Sequence, residues 1–268
     1  MSFQGRQILS LESRRAKEME QLIRNQQGEP FVAPSMREVP LDRNDEAFHF
    51  ADRLFAGDFD MVVLLTGVGT RLLDKVLSTR YPAGRFAEAL RGLTVVARGP
   101  KPVAALREIN VTPAIVAPEP NTWHEVLAST AGRPERRIAV QEYGKSNPEL
   151  IDGFRARGTE VSTVRVYQWE LPEDTGPLRE AARRVAAGVF GAALFTTSIQ
   201  VAHLFRMAAE EGLEEQVKNG LSKLMVASIG PTTSEALEEY GIRVDFEPSH
   251  PKMGVFVQET GAAFGKSR

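Results

Sequence analysis

The constraint that most limits how this chain can fold is a rhythm. Short apolar runs rich in Val, Ile and Leu alternate with amphipathic stretches from end to end. Strand, helix, strand is the pattern of parallel sheets covered by helices, because a parallel pair needs a crossover long enough to hold a helix. The candidate strands are Gln7 to Leu11, Pro30 to Ala33, Met61 to Leu65, Thr94 to Ala97, Ala114 to Val116, Arg137 to Gln141, Val161 to Tyr167, Ala192 to Thr196, Met225 to Ser228 and Val244 to Glu247. Ten such runs in 268 residues suit an α/β fold of two doubly wound sheets, about five strands each.

Local signals mark the helices between them. Ser13 to Gln26 carries Ala16, Met19, Leu22 and Ile23 on one face, with Gly28 after it as a stop. Asn147 before Pro148 reads as a cap followed by the first helical residue. Thr122 and Glu125 have capping-box spacing, which puts His124 on the surface.

Two segments break the rhythm. APSMREVPL (Ala33 to Leu41) and TEVSTVRVYQWEL (Thr159 to Leu171) are long and extended, with no helix directly after the strand. They read as two crossings between lobes, with connectors near residues 33–41 and 161–171. An N-terminal βαβ unit cannot complete a sheet alone. Residues 1–38 are therefore expected to join 170–268 in one discontinuous lobe, with 39–169 as the second.

Composition narrows the function classes. The chain is 42% hydrophobic and 25% charged with a formal net charge of -2, which supplies no global field for nucleic acid. With no cysteine there is no disulfide, thiolate metal site or Cys nucleophile. His49, His124, His203 and His250 lack metal-ligand spacing, and His203, on an amphipathic helix, is expected to be structural. No secretory signal or membrane-spanning run is present, so a cytoplasmic monomer with neither membrane nor nucleic-acid partner and no metal or cofactor is expected.

In open α/β sheets ligands sit beyond the carboxyl ends of the strands. Here those loops read LLTGVGTR, ARGPKP, QEYGKSNP, FTTSIQ and SIGPTT. Each joins small or hydroxyl residues to a helix start, and Arg98, Lys101 and Lys145 add cations to three of them. TGVGTR is no dinucleotide fingerprint, since Leu72 holds the third glycine position, and no P-loop occurs. Ser198 lies outside any nucleophile elbow. Thr232 and Glu235 have the spacing of a capping box, while the same turn, Gly230 to Thr233, could offer its N–H groups to an anion. Five loops of this kind favour a ligand with several dispersed anionic groups. Tyr167, at the end of a connector strand, either faces a cleft or fills a hinge.

In order and spacing, ALFTTSIQVAHLF, VASIGPTTSEALEEYGIRV, VRVYQWELPED and AVQEYGKSNPELIDGFRARGTEV, with TGVGTRLLD and VVARGPKPVAALRE, resemble the uroporphyrinogen-III synthase (HemD-like) family over nearly the whole chain. The resemblance implies two flavodoxin-like α/β lobes joined by a two-stranded linker that the chain crosses twice. It also implies cyclisation of hydroxymethylbilane, a linear tetrapyrrole with eight carboxylates, with inversion of the last ring, in tetrapyrrole (haem, sirohaem, cobalamin) biosynthesis. Gly230, Pro231, Thr232 and Thr233 would then hold substrate carboxylates, as would Thr196, Thr197 and Ser198 and, in the other lobe, Thr66, Gly67, Gly69, Arg98, Gly99, Lys101, Tyr143, Gly144 and Lys145. Tyr167 matches the family's connector tyrosine and is the implied general acid. TGVG stands where many members have a Thr-Ser pair. The rival readings are a non-catalytic two-lobed ligand-binding or sensor module and a nucleotide-sugar transferase, for which no diphosphate site is visible.

Overall fold

The computed structural model describes residues 2–41, 44–142, 144 and 146–266. The chain divides into two compact units, Met1–Arg37 with Glu170–Arg268, and Glu38–Trp169. In chain order, β1 (Gln7–Ser10), α1 (Ala16–Asn25) and β2 (Glu29–Val32) open the first unit, and β3 (Arg37–Pro40) carries the first crossing. The second unit runs α2 (Asp45–Ala56), β4 (Met61–Leu64), α3 (Gly67–Leu77), α4 (Arg85–Arg91), β5 (Thr94–Ala97) and α5 (Pro100–Glu108). It continues through β6 (Ile115–Val116), α6 (Trp123–Ser129), β7 (Arg137–Gln141), α7 (Pro148–Arg155) and β8 (Glu160–Val164). After β9 (Tyr167–Glu170) the chain completes the first unit with α8 (Gly176–Ala186), β10 (Ala192–Phe195), α9 (Ser198–Glu210), α10 (Glu214–Leu221), β11 (Met225–Ser228), α11 (Pro231–Glu239) and α12 (Met253–Phe264).

The first unit holds a parallel sheet ordered β11-β10-β1-β2, and the second a parallel sheet ordered β6-β5-β4-β7-β8. The α/β class is as expected. Both sheets share an arrangement: a central pair, β10-β1 or β4-β7, with each member's next strand added outward. β3 and β9 form a separate two-stranded sheet.

Strand alternation builds the first unit's two faces. Leu9, Ala193, Phe195 and Val226 pack in one core with α8, α9 and α10, while Ile8, Ala192, Leu194 and Ala227 pack in another with α1 and α12. A period of two sends neighbours to opposite faces, so a strand covered on both sides reads as continuously apolar. The second unit's core gathers Val62, Val63, Leu64, Val95, Val96, Ala139 and Val140 with Phe50, Leu73, Leu106, Leu150 and Phe154 from its helices.

Three expectations are corrected. Val161 to Tyr167 is not one strand: β8 pairs with β7 in the five-stranded sheet and β9 with β3, so the chain changes sheets at Arg165 and Val166. Val244 to Glu247 makes one bridge, Phe246 to Ala227, because Asp245 turns its carboxylate back to the Val226 N–H at 3.0 Å. After α1 the left-handed residue is Gln27 (φ 56°), not Gly28. Gly28 is needed for space, since a Cβ there would stand 2.8 Å from Ile23 Cγ2. The Asn147 cap and the Thr122–Glu125 capping box form as expected, with His124 exposed.

Candidate functional site

Each unit presents its candidate residues where strand gives way to helix. In the second unit, Thr66 caps α3: its Oγ1 accepts the Gly69 N–H at 3.0 Å. The Thr66 N–H donates to Gln141 Oε1 at 3.3 Å, and the fully buried Gln141 also donates from Nε2 to the Glu142 carbonyl. Both glycines of TGVG are spatial requirements. A Cβ on Gly67 would stand 2.5 Å from the Lys101 carbonyl, and one on Gly69 2.1 Å from Gln141 Nε2.

The neighbouring joint, Arg98 and Gly99 before α5, is held in a related way. With its amide nitrogen donating, Asn121 reaches the carbonyls of Arg98 (3.1 Å) and Ala117 (3.0 Å) and fills the space beside Gly99. Lys101 is exposed in the first turn of α5 and Arg98 is half-buried. Gly144 has φ 42°, and a Cβ there would meet the Trp169 ring at 2.8 Å, so the position needs glycine on both counts. Tyr143 and Lys145 lie outside the described residues.

Tyr167 is 1% exposed and belongs to the second unit's core. Its ring is drawn inward by the apolar packing around β8 and β9, and its Oη lies 3.2 Å from Thr66 Oγ1. The tyrosine therefore stands behind a candidate binding residue.

In the first unit, Thr196 follows β10. Its N–H donates to Gln200 Oε1 at 2.7 Å, its Oγ1 accepts from Gln200 Nε2 at 2.9 Å, and the same hydroxyl donates to Glu12 Oε2 at 2.6 Å. Thr196 is thus an internal clamp. Among the described residues, the half-buried hydroxyls of Thr197 and Ser198 make no hydrogen bond, and they stand at the start of α9. Glu12 follows β1 and accepts the N–H groups of Arg14 and Arg15, each at 3.1 Å. Glu142 does the same after β7, accepting from Ser146 Oγ (2.9 Å) and the Asn147 N–H (3.2 Å).

The Gly230–Thr233 turn corrects another expectation. Thr232 and Glu235 form no capping box: α11 begins at Pro231 with Gly230 as its cap, and both threonines lie within the first turn. Proline suits the first helical position, since its φ is preset and it has no N–H to satisfy, and this moves the helix start ahead of the hydroxyls. The Gly230 carbonyl accepts the N–H groups of Thr233 (2.9 Å) and Ser234 (3.1 Å). Among the described residues, the Thr232 and Thr233 hydroxyls make no hydrogen bond.

One electrostatic feature sorts these joints. Acidic residues stabilise the positive end of a helix and are common in first turns. Among the helices that directly follow a strand of the two parallel sheets, α1, α6 and α7 carry Glu18, Glu125 and Glu149 there, whereas α3, α5, α9 and α11 carry no acid; after the two-stranded sheet, α2 carries Asp45 and Glu46 and α8 carries none. Those four begin at four of the five expected binding loops and carry no acid of their own in the first turn, although Glu12 reaches the α9 joint through Thr196 Oγ1 and Glu247 accepts from Ser234 Oγ in the first turn of α11. Sequence reading missed Gln141, Asn121, Gln200 and Glu12. The available signal was the T-x-x-Q spacing of Thr197 and Gln200, which resembles a capping box although the amide engages Thr196 instead.

His203 is structural: its Nδ1 donates to the Ser35 carbonyl at 2.7 Å, and burial lowers its pKa, favouring the neutral ring. Among the described residues no cluster of three or more His, Cys, Asp or Glu could hold a metal ion, and no helix is long and apolar enough to cross a membrane.

Comparison with known proteins bears on this geometry. The family model for uroporphyrinogen-III synthase HemD matches residues 17–258. A Bacillus subtilis (strain 168) protein of undetermined activity, YjjA, is 27% identical over 259 residues, covering 95% of this chain and 94% of that one. A Methanothermobacter thermautotrophicus protein with a provisional uroporphyrinogen-III synthase name is 28% identical over 232 residues, 85% of this chain and 87% of its own. The fold is similar to a crystal structure of a mutant uroporphyrinogen III synthase from the extremely thermophilic bacterium Thermus thermophilus, with a TM-score of 0.75, 20% identity, and coverage of 98% of this chain and 100% of that one. With the matched segment covering most of both units, the chain belongs to the uroporphyrinogen-III synthase HemD family.

Proposed function

We propose that the chain cyclises hydroxymethylbilane to uroporphyrinogen III. The observation that carries this reading is the set of four first turns, at α3, α5, α9 and α11, that carry no acid, three of them starting with hydroxyl residues (Thr66; Thr197 and Ser198; Thr232 and Thr233) and the fourth with Lys101. A substrate with eight carboxylates needs such donors at several separate places, and a helix start without its own acid is suited to an anion.

In this reading Thr66, Gly67 and Gly69, Arg98, Gly99 and Lys101, Thr197 and Ser198, and Gly230 to Thr233 hold carboxylates. Thr196 is reassigned from ligand contact to clamp, because its hydroxyl is used on both sides. Gly144 supports the loop on Trp169, and Tyr143 and Lys145 flank it in sequence. The first ring's hydroxyl leaves with a proton as water, giving an electrophilic azafulvene. The substituted carbon of the last ring attacks it, and the resulting spiro intermediate fragments and recloses with that ring inverted, releasing a proton. Free bilane closes directly to the type I isomer, so the protein's main contribution is orientation of the chain ends. Tyr167 acts through Thr66, orienting its hydroxyl and supplying a proton along the Oη–Oγ1 contact.

The test is to supply enzymically generated hydroxymethylbilane, oxidise the products and separate the isomers. Type III in excess of a protein-free control supports the reading. Type I alone refutes it, and type I alone with tight porphyrin binding supports a non-catalytic binding module.

A further inference from the structure

Two of the strand-to-helix joints are braced by glutamine amides that are almost wholly inaccessible to solvent: Gln200 is 1% exposed and Gln141 0%. Each accepts a backbone N–H at its joint, Thr196 for Gln200 and Thr66 for Gln141. The amides arrive by different routes. Gln200 is the third residue of α9, and at the same place in α3 stands Gly69, with the Gln141 amide from β7 filling the space a side chain would take. One chemical group thus occupies one position in both units, once from within the helix and once from a neighbouring strand.

The choice of an amide is informative. A glutamate at the third position accepts the same kind of N–H and also gains from the helix dipole. The chain uses that solution at α6, where the Glu125 carboxylate accepts the Thr122 N–H at 2.8 Å. At α9 and α3 it accepts an N–H through a neutral oxygen instead. Glu12 already brings one carboxylate to the α9 joint, 2.6 Å from Thr196 Oγ1, its oxygens also accepting the N–H groups of Arg14 and Arg15, so the Gln200 amide spares that joint a second charge.

We infer that Gln200, with Gln141 in the parallel role, is a positioning residue that fixes the joint without adding negative charge, so that the remaining donors of the first turn, Thr197 and Ser198 for α9, are available to a substrate carboxylate. The inference rests on the polycarboxylate reading above. It adds a specificity device, since a carboxylate clamp would brace the joint equally well and repel the ligand.

Gln200→Ala and Gln200→Glu separate bracing from charge. Glu keeps an acceptor for the Thr196 N–H, whereas Ala removes it. Three quantities are measured: the melting midpoint, KM for hydroxymethylbilane, and Kd for the octacarboxylate uroporphyrin III followed by its fluorescence. The expected order of both KM and Kd is wild type, then Ala, then Glu, with Glu raised at least about tenfold, as expected of like charges several Å apart in a partly hydrated site. The melting midpoint of Glu should nevertheless lie nearer to wild type than that of Ala. Glu binding as well as or better than Ala overturns the inference, because a purely structural clamp predicts that order. Gln141→Glu and Gln141→Ala repeat the test in the second unit should a Gln200 variant fail to fold. If wild-type protein yields only the type I isomer, the proposed reaction fails while the Kd order still decides the role of the amide.

Discussion

Gly69→Ala should destabilise the protein, although alanine normally improves a helix. In an unhindered helix the change gains about 0.5–1 kcal/mol. Here the new methyl would stand 2.1 Å from Gln141 Nε2, 2.4 Å from its Cδ and 2.7 Å from its Oε1, so the whole amide must move. Gln141 has no exposed surface and so no vacant direction in which to turn. Moving it breaks the bond from the Thr66 N–H and the bond to the Glu142 carbonyl. Two hydrogen bonds at about 0.5–1.5 kcal/mol each, with a stranded N–H costing about 1–3 kcal/mol, outweigh the propensity gain and leave a net loss of about 1–5 kcal/mol. Urea unfolding followed by far-UV circular dichroism measures it. Gly254→Ala is the control, since nothing lies within 4 Å of a Cβ there and a small gain is expected. In Gly69→Ala/Gln141→Ala the clash is gone, so the double variant should lose less than the sum of the single changes. A Gly69→Ala protein as stable as wild type, or more so, refutes the steric argument and with it the placement of the Gln141 amide.

Tyr167→Phe should lower turnover by about 10²- to 10⁴-fold if the phenol is the proton source, while the residual enzymic product stays type III because the ring and its packing remain. Isomer-resolved rates corrected for spontaneous closure decide it, and wild-type turnover with an unchanged melt rejects the acid role. Thr232→Ala with Thr233→Ala should raise KM with little change in melting midpoint, since neither hydroxyl caps α11; a large loss of stability with normal kinetics would assign both to the fold. Asp60 is held down to about pKa 2 from 3.8, chiefly by the Arg137 side chain, with the N–H groups of Arg137 and Arg136 assisting against desolvation. A lowered carboxylate pKa means stability that is present above about pH 4 and lost as pH falls through about 2. Asp60→Asn should therefore be less stable at neutral pH and show a flatter acid-unfolding limb in pH-dependent denaturation; an unchanged limb counts against the pairing.

The strands and most helix starts were legible because their causes are local. Met61 to Leu64 and Ala192 to Phe195 are continuously apolar because both faces of a parallel sheet are covered, and that shows directly in the residue order. Asn147-Pro148 and Thr122 to Glu125 act within one turn, and both formed as read. The place of the small and hydroxyl residues between strand and helix was legible as well, since they have a backbone reason to be there. Local spacing misled at Gly230-Pro231-Thr232, where proline set the start of α11 ahead of the threonines, and at Gly28, where the left-handed turn falls on Gln27.

What the tertiary structure alone decided depends on residues far apart in the chain. Gln141 braces Thr66 across 75 positions and Tyr167 meets it across 101, and neither separation leaves a periodic trace. Tyr167 could be read equally as a cleft residue or a hinge filler until the core around β8 and β9 closed over it. The break at Arg165 and Val166 has the same origin, because partner strands decide where one sheet ends and the next begins. Periodicity reports which face of an element is buried, and local spacing reports how that element starts and stops. Which distant side chain fills the space beside Gly69 is decided only when the sheet sets β4 beside β7, and that contact determines whether the joint is braced by a charge or by a neutral amide.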